Sequence, residues 1–156
     1  MQTPDIYKNL NIKTVINGKS WVTNLGGSLM KPEVLDAMSQ SSNAFINYEE
    51  LHKKCSDQIA KLCQAESALI TSGCASAIVL MSASVICKKD ISAIDKIPNQ
   101  KEEFQILISK HHRNHYDTSF EATGAKLIEY EDPIDLSNKI NKYTVAIAYV
   151  EAPCLE

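Results

Sequence analysis

The sequence predicts an α/β fold, a mostly parallel sheet with helices on both faces. Three observations point there. Short apolar runs recur at 67–71, 104–109, 125–130 and 144–150. Segments of helical period lie between them. The last run, TVAIAYV, is apolar on both of its faces, as a parallel strand covered from both sides must be.

The elements are taken in chain order. From Pro32 the apolar positions Val34, Leu35 and Met38 fall at helix spacing, and a proline suits a first helical turn, where its missing N–H costs nothing. Leu51, Cys55, Ile59 and Leu62 recur at steps of four, four and three, which puts one apolar stripe on a helix over 48–63. Residues 67–71 (SALIT) read as a short strand running into Ser72-Gly73, and 75–86 are apolar almost all round, so the pattern is strand, tight turn, buried helix. Residues 88–100 are polar and broken by Pro98, a surface connection. The alternation then resumes with a strand over 104–109, a short helix over 116–122 stopped by Gly124, a strand over 125–130, a helix over 135–141 with Asp135 near its start, and a strand over 144–150. There is no internal repeat and no low-complexity tract.

Composition narrows the function classes. A chain of 156 residues with 44% apolar content is about one domain in size and has the material for an ordinary buried core. Sixteen basic against nineteen acidic residues leave a net charge of −3, without the basic excess of a nucleic-acid surface. No apolar run reaches the roughly 18–20 residues of a membrane span, and the polar start, with Pro4 and Asp5, is unlike a signal peptide. A cytoplasmic protein is expected. Five cysteines, an odd number at wide spacing with no C-x-x-C pair, imply reduced thiols. Cys55, Cys63 and Cys87 sit among apolar residues and read as small buried hydrophobes.

Two segments carry chemistry. Thr71-Ser72-Gly73-Cys74-Ala75-Ser76-Ala77 lies where a strand hands over to a helix. The first amides of a helix are unpaired and partly positive, so a phosphate can accept several hydrogen bonds there. Gly73 allows close approach, Ser72 and Ser76 add hydroxyls, and small residues keep the entrance open; small residues at such a turn also serve packing alone. No G-x-G-x-x-G or G-x-x-x-x-G-K-[ST] occurs, which disfavours dinucleotide and P-loop readings. The second segment, Lys110-His111-His112-Arg113-Asn114-His115-Tyr116-Asp117, leaves the carboxyl end of a central strand, where open α/β sheets collect their sites. A neutral imidazole can stack on an aromatic cofactor ring, and Arg113 nearby suits anionic groups. Two other readings stay open: a solvated polar loop, and a zinc site on His111, His112 and His115, for which Cys154 is the only distant fourth ligand.

The order of Val15-Ile16-Asn17-Gly18, Asn24-Leu25-Gly26-Gly27-Ser28-Leu29-Met30-x-Pro32-Glu33-Val34, Ala68-Leu69-Ile70-Thr71-Ser72-Gly73-Cys74-Ala75 and His112-Arg113-Asn114-x-Tyr116-Asp117 resembles the selenocysteine-synthase-like group of pyridoxal-phosphate enzymes. That group includes bacterial seryl-tRNA selenium transferase and lyases acting on amino acids or amino sugars. The likeness runs from about Val15 to Val150, with LGGSLM-x-PEV its most specific stretch.

The resemblance implies a three-layer, aspartate-aminotransferase-type fold (fold type I), with an N-terminal arm over 1–30 and the N-terminal part of a cofactor-binding large domain over 31–156. It implies pyridoxal 5'-phosphate, held at Ser72, Gly73, Cys74 and Ala75, with His112 stacked on its ring and His111 the alternative. Asn24, Gly27, Ser28 and Arg113 become substrate-side candidates. Relatives form homodimers or larger rings, act on amino acids, amino-sugar derivatives or, in one branch, an acylated tRNA, and carry the ring-nitrogen aspartate and Schiff-base lysine further along. The expectation is therefore an N-terminal fragment of a lyase or transferase, inactive alone, with Lys126, Lys139 and Lys142 in the wrong part of the pattern to serve. The alternatives are a catalytically inactive remnant or partner subunit, and the zinc-binding module.

Overall fold

The computed structural model describes residues 4–19, 21–88 and 90–150. The chain forms two compact units, Met1–Lys54 and Cys55–Glu156.

The first unit holds α1 (Asp5–Asn9), a 3-10 turn (Thr23–Leu25), α2 (Pro32–Ser41) and the start of α3 (Tyr48–Leu62). Pro32 opens α2 with Glu33 in its first turn, where the helix dipole favours an acid. The short helix α1, with its Lys8–Asp5 pair at 2.8 Å, has no apolar period and left no trace in the hydropathy pattern. Between residues 4 and 54 no described residue is buried. The stripe of Val34, Leu35 and Met38 faces solvent, as do Trp21 and Leu29, and Phe45 is fully exposed. The apolar fraction that promised a core builds none here.

The second unit is built on a three-stranded parallel sheet in the order β2-β1-β3, with β1 at Gln105–Ser109, β2 at Lys126–Tyr130 and β3 at Thr144–Ala148. Leu107 sits opposite Ile128 on one side and Ile147 on the other. The central position explains why β1 reads QILIS: Ile106, Leu107 and Ile108 are at most 1% exposed, each contributing about 1.5–3 kcal/mol by leaving water. Ile86 from α4 (Cys74–Cys87) joins Ile106 and Ala125 in the core, with Ile97, Phe104, Phe120, Leu127 and Val145 packed around them.

That core fixes the direction of α4. Ile86, near its carboxyl end, meets residues at the amino ends of the strands, and fourteen helical residues extend about 21 Å. The Cys74 end of α4 therefore lies away from the Ile86 contact with the core.

Several sequence expectations need correction. Residues 67–71 form no strand: the described sheet has three strands and none of them pairs with this segment, so its apolar side chains Leu69 and Ile70 stay exposed. On α3 the buried positions are Ser56 and Ala60, one step off the stripe, while Ile59 and Leu62 are exposed. Among the described cysteines only Cys87 is buried; Cys55 is half-buried, Cys63 and Cys74 are exposed, and these four are free thiols. The 88–100 connection contains a 3-10 turn at Ile91–Lys96, capped by Asp90, whose carboxyl group is held below its ordinary pKa chiefly by the Ser92 hydroxyl. The last helix, α6 (Pro133–Lys139), starts earlier than expected. Asp132, not Asp135, caps it, accepting from the amides of Ile134 at 2.8 Å and Asp135 at 2.9 Å.

The remaining helix, α5 (Thr118–Glu121), is followed by a turn that closes on Gly124, which has φ +80°. A Cβ there would lie 2.1 Å from the Pro98 carbonyl oxygen. The tight approach is buttressed by Gln100, whose amide donates to the Thr123 carbonyl at 3.0 Å.

Candidate functional site

The turn before α4 is shaped by its own side chains. The Thr71 hydroxyl donates to the Gly73 carbonyl at 2.9 Å and accepts from the Gly73 amide, and the Ser72 and Ser76 hydroxyls meet at 2.9 Å. The first intrahelical bond is Ala77 N–H to the Gly73 carbonyl, and no side chain caps the helix. The amides of Cys74, Ala75 and Ser76 thus begin a fourteen-residue helix without a side-chain acceptor, beside two hydroxyls. Ser72, Gly73, Cys74 and Ala75 are all exposed, and a Cβ at Gly73 would meet nothing within 4 Å. Packing against the protein gives no reason for a glycine here; the backbone at φ +157°, which side chains rarely adopt, does, and the turn also stays open to approach.

The histidine segment leaves β1 at the carboxyl edge of the sheet. Ser109 caps a 3-10 turn at Lys110–His112 by accepting from the His111 amide. The His112 ring is half-buried and held from the neighbouring strand: Tyr149, the residue after β3, packs against it at 4.9 Å with planes at 82°, and the Val150 amide donates to its Nδ1 at 3.5 Å. The Asn114 side chain donates to the His112 carbonyl at 3.1 Å. His111 and His115 are exposed, and the His115 ring packs on Tyr116. Among the described residues no group of three or more His, Cys, Asp or Glu is placed to hold a metal ion; Cys154 lies outside them.

Arg113 turns to protein carboxylates. Its Nε pairs with Asp117, whose side chain is 7% exposed, and its Nη1 donates to Glu129 on β2 at 2.6 Å. Asp117 beside it raises the guanidinium pKa above its ordinary value. The Asn114 amide also reaches Asp117, at 3.1 Å. This network ties the loop after β1 to β2. A substrate anion at Arg113 would have to displace Glu129. Lys110 pairs with Glu131, and Lys139 with Asp135 and the Glu129 carbonyl, so the cations along this edge are largely neutralised.

Asn24, Gly27 and Ser28 belong to the first unit. The Thr23–Leu25 turn ends on Gly26 and Gly27 at φ +87° and +84°, a conformation that disfavours any side chain, and Val22 and Gly27 close it with an antiparallel bridge. It is a small closed loop with Asn24 and Ser28 exposed.

Sequence reasoning did not foresee Tyr149 or Val150, and it named Asp117 only within the motif, without a role. The first two needed the strand order: β3 lies beside β1, so the residues leaving β3 meet those leaving β1. The signal for Asp117 was its spacing of four from Arg113 just before a helix.

No family model matches the chain. It is similar to the D-glucosaminate-6-phosphate ammonia lyase of Salmonella typhimurium (strain 14028s / SGSC 2262), 26% identical over 160 residues that cover 96% of this chain and 43% of the relative. Among solved structures it is similar to that of a D-glucosaminate-6-phosphate ammonia-lyase, with a TM-score of 0.89 and 26% identity over 97% of this chain and 44% of the other. The chain thus spans less than half the length of these relatives. Among the described residues no helix is long and apolar enough to cross a membrane.

Proposed function

We propose that this chain supplies the phosphate- and ring-binding part of a pyridoxal-phosphate-dependent lyase of the selenocysteine-synthase-like group, acting on an amino-sugar derivative. The observation that carries the reading is the uncapped amino end of α4 with its Ser72-Gly73 turn, in the same compact unit as the strand-end His112. The likeness to an ammonia lyase of an amino-sugar phosphate supports the reaction class and turns the choice from transferase to lyase and from amino acid to amino sugar. The weak net charge gives no support to a tRNA substrate.

The residues fit the cofactor's chemistry. A phosphate at the α4 terminus would accept from the Cys74, Ala75 and Ser76 amides and the Ser72 and Ser76 hydroxyls, with Gly73 leaving its approach open. His112, held by β3, is the better stacking residue than exposed His111. When bound, pyridoxal phosphate is an electron sink for bonds broken at the substrate's α- or β-carbon. The Asn24–Ser28 loop is read as a substrate-side element. Fold type I is the proposed architecture: β1-to-β2 and β2-to-β3 crossovers run in opposite directions, so right-handed connections put α5 and α6 on opposite faces, giving three layers. A first unit with no buried residue among those described reads as an arm lying on another polypeptide surface, in keeping with a homo-oligomer.

Titration with pyridoxine 5'-phosphate, which has the ring and phosphate but no aldehyde to react with surface lysines, tests the site. One-to-one binding is expected, weakened at least about tenfold by the joint Ser72→Ala and Ser76→Ala change, the effect of losing one hydrogen bond to a charged group, and abolished by Gly73→Val. Binding that ignores both changes, or none at millimolar ligand, refutes the proposal.

A further inference from the structure

The His112 ring is oriented by two residues that lie beyond a different strand. Nδ1 accepts the Val150 amide hydrogen, so Nδ1 carries no proton and the neutral ring bears its hydrogen on Nε2. The Tyr149 ring stands nearly perpendicular to it at 82°, with centroids 4.9 Å apart, the edge-to-face arrangement that aromatic quadrupoles favour. Neither contact involves the loop that carries His112. Both come from the chain leaving β3, which the sheet order places beside β1. The loop's own bonds, from Asn114 to the His112 carbonyl and from the His111 amide to Ser109, fix its backbone but leave the ring free to turn about its side-chain bonds.

We infer that Tyr149 is a positioning residue: it sets the plane of the His112 ring so that Nδ1 meets the Val150 amide, and through that bond the ring is held in the Nε2–H tautomer. The inference rests on the reading of His112 as the group that meets a planar ligand. Its consequence is that the ring presents a fixed face, and a fixed donor at Nε2, before any ligand arrives, so ligand binding does not have to order it. Tyr149 is 71% exposed, so its truncation leaves the core of the unit intact.

Long-range proton–nitrogen spectra of the full 156-residue chain read the tautomer directly, with the His112 signals identified by their loss in His112→Gln. The expected pattern is a non-protonated Nδ1 and a protonated Nε2. Tyr149→Ala should mix the tautomers and weaken pyridoxine 5'-phosphate about three- to tenfold, the range that one aromatic pair supports. Inorganic phosphate, which lacks a ring, should bind both proteins alike, and Tyr149→Phe should restore both readouts. A His112 ring protonated at Nδ1, or one whose tautomer is unmoved by Tyr149→Ala, overturns the inference. If the tautomer responds as expected but pyridoxine 5'-phosphate does not bind the parent chain, the cofactor reading fails and the positioning contact stands.

Discussion

Gly124→Ala is the sharpest test of the packing in the second unit. The alanine Cβ would lie 2.1 Å from the Pro98 carbonyl oxygen, 2.8 Å from the Gln100 side-chain nitrogen and 3.0 Å from the Pro98 carbonyl carbon, at a backbone φ of +80°. The left-handed conformation alone costs a side chain about 1–2 kcal/mol, and forcing apart well-packed atoms adds about 1–3 kcal/mol, for a total near 2–5 kcal/mol. In a unit of about one hundred residues each kcal/mol lowers Tm by about 4–8 °C, so a fall of roughly 8–40 °C is expected in thermal unfolding monitored by circular dichroism. The nearest atom is backbone and cannot swing away as the Gln100 side chain can. Gln100→Ala in the Gly124→Ala background should therefore recover little. A loss under about 1 kcal/mol, or near-full rescue by Gln100→Ala, would refute the assignment of Gly124 to this close approach.

Leu107→Ala, at a position with no exposure, should cost about 2–5 kcal/mol in urea unfolding. Asp132→Ala removes the α6 cap and should cost about 0.5–2 kcal/mol by the same assay. Lys139 and the Glu131 amide hold the Asp135 carboxyl below its ordinary pKa, so its contribution is present above that ordinary value and is lost as pH falls through the lower, folded one. Wild type should exceed Asp135→Asn in stability at about pH 7, with the gap closing below about pH 4. Arg113→Met should cost about 1–3 kcal/mol by leaving buried Asp117 without its cation, and a second change of Asp117 to Leu should relieve part of the loss; an additive double mutant would dissolve the proposed network.

How much of this was legible in the sequence depends on how local each signal is. The strands at 104–109, 125–130 and 144–150 showed themselves because a buried parallel strand must be apolar on successive residues, and α4 because an almost wholly apolar helix needs no phase to be recognised. The 67–71 run has the same composition yet forms no strand, because a strand exists only with a hydrogen-bonding neighbour and composition does not report one. The α3 stripe had a sound period, but which face is covered depends on what packs there, and Ser56 and Ala60 are small enough to allow close approach. At the candidate site the turn at Ser72-Gly73 and the strand-end histidines were visible as motifs. The grip of Tyr149 on His112 was not, since it joins residues far apart in the chain through a strand order that right-handed crossovers permit but do not dictate. The neutralisation of Arg113 was equally hidden, because Glu129 becomes its neighbour only through the β1–β2 pairing.

The two margins of the sheet are unlike. The β2 margin carries Lys126, paired with Glu103, and Glu129, charges that discourage a further strand from docking. The β3 margin reads Thr-Val-Ala-Ile-Ala, with no charge and with Ile147 48% exposed. Lateral growth of this sheet is therefore directional. Among the described residues a fourth strand would meet charged, ion-paired side chains at one margin and uncharged ones at the other. Joined in parallel at β3, it would end beside Tyr149 and deepen the edge that His112 already lines.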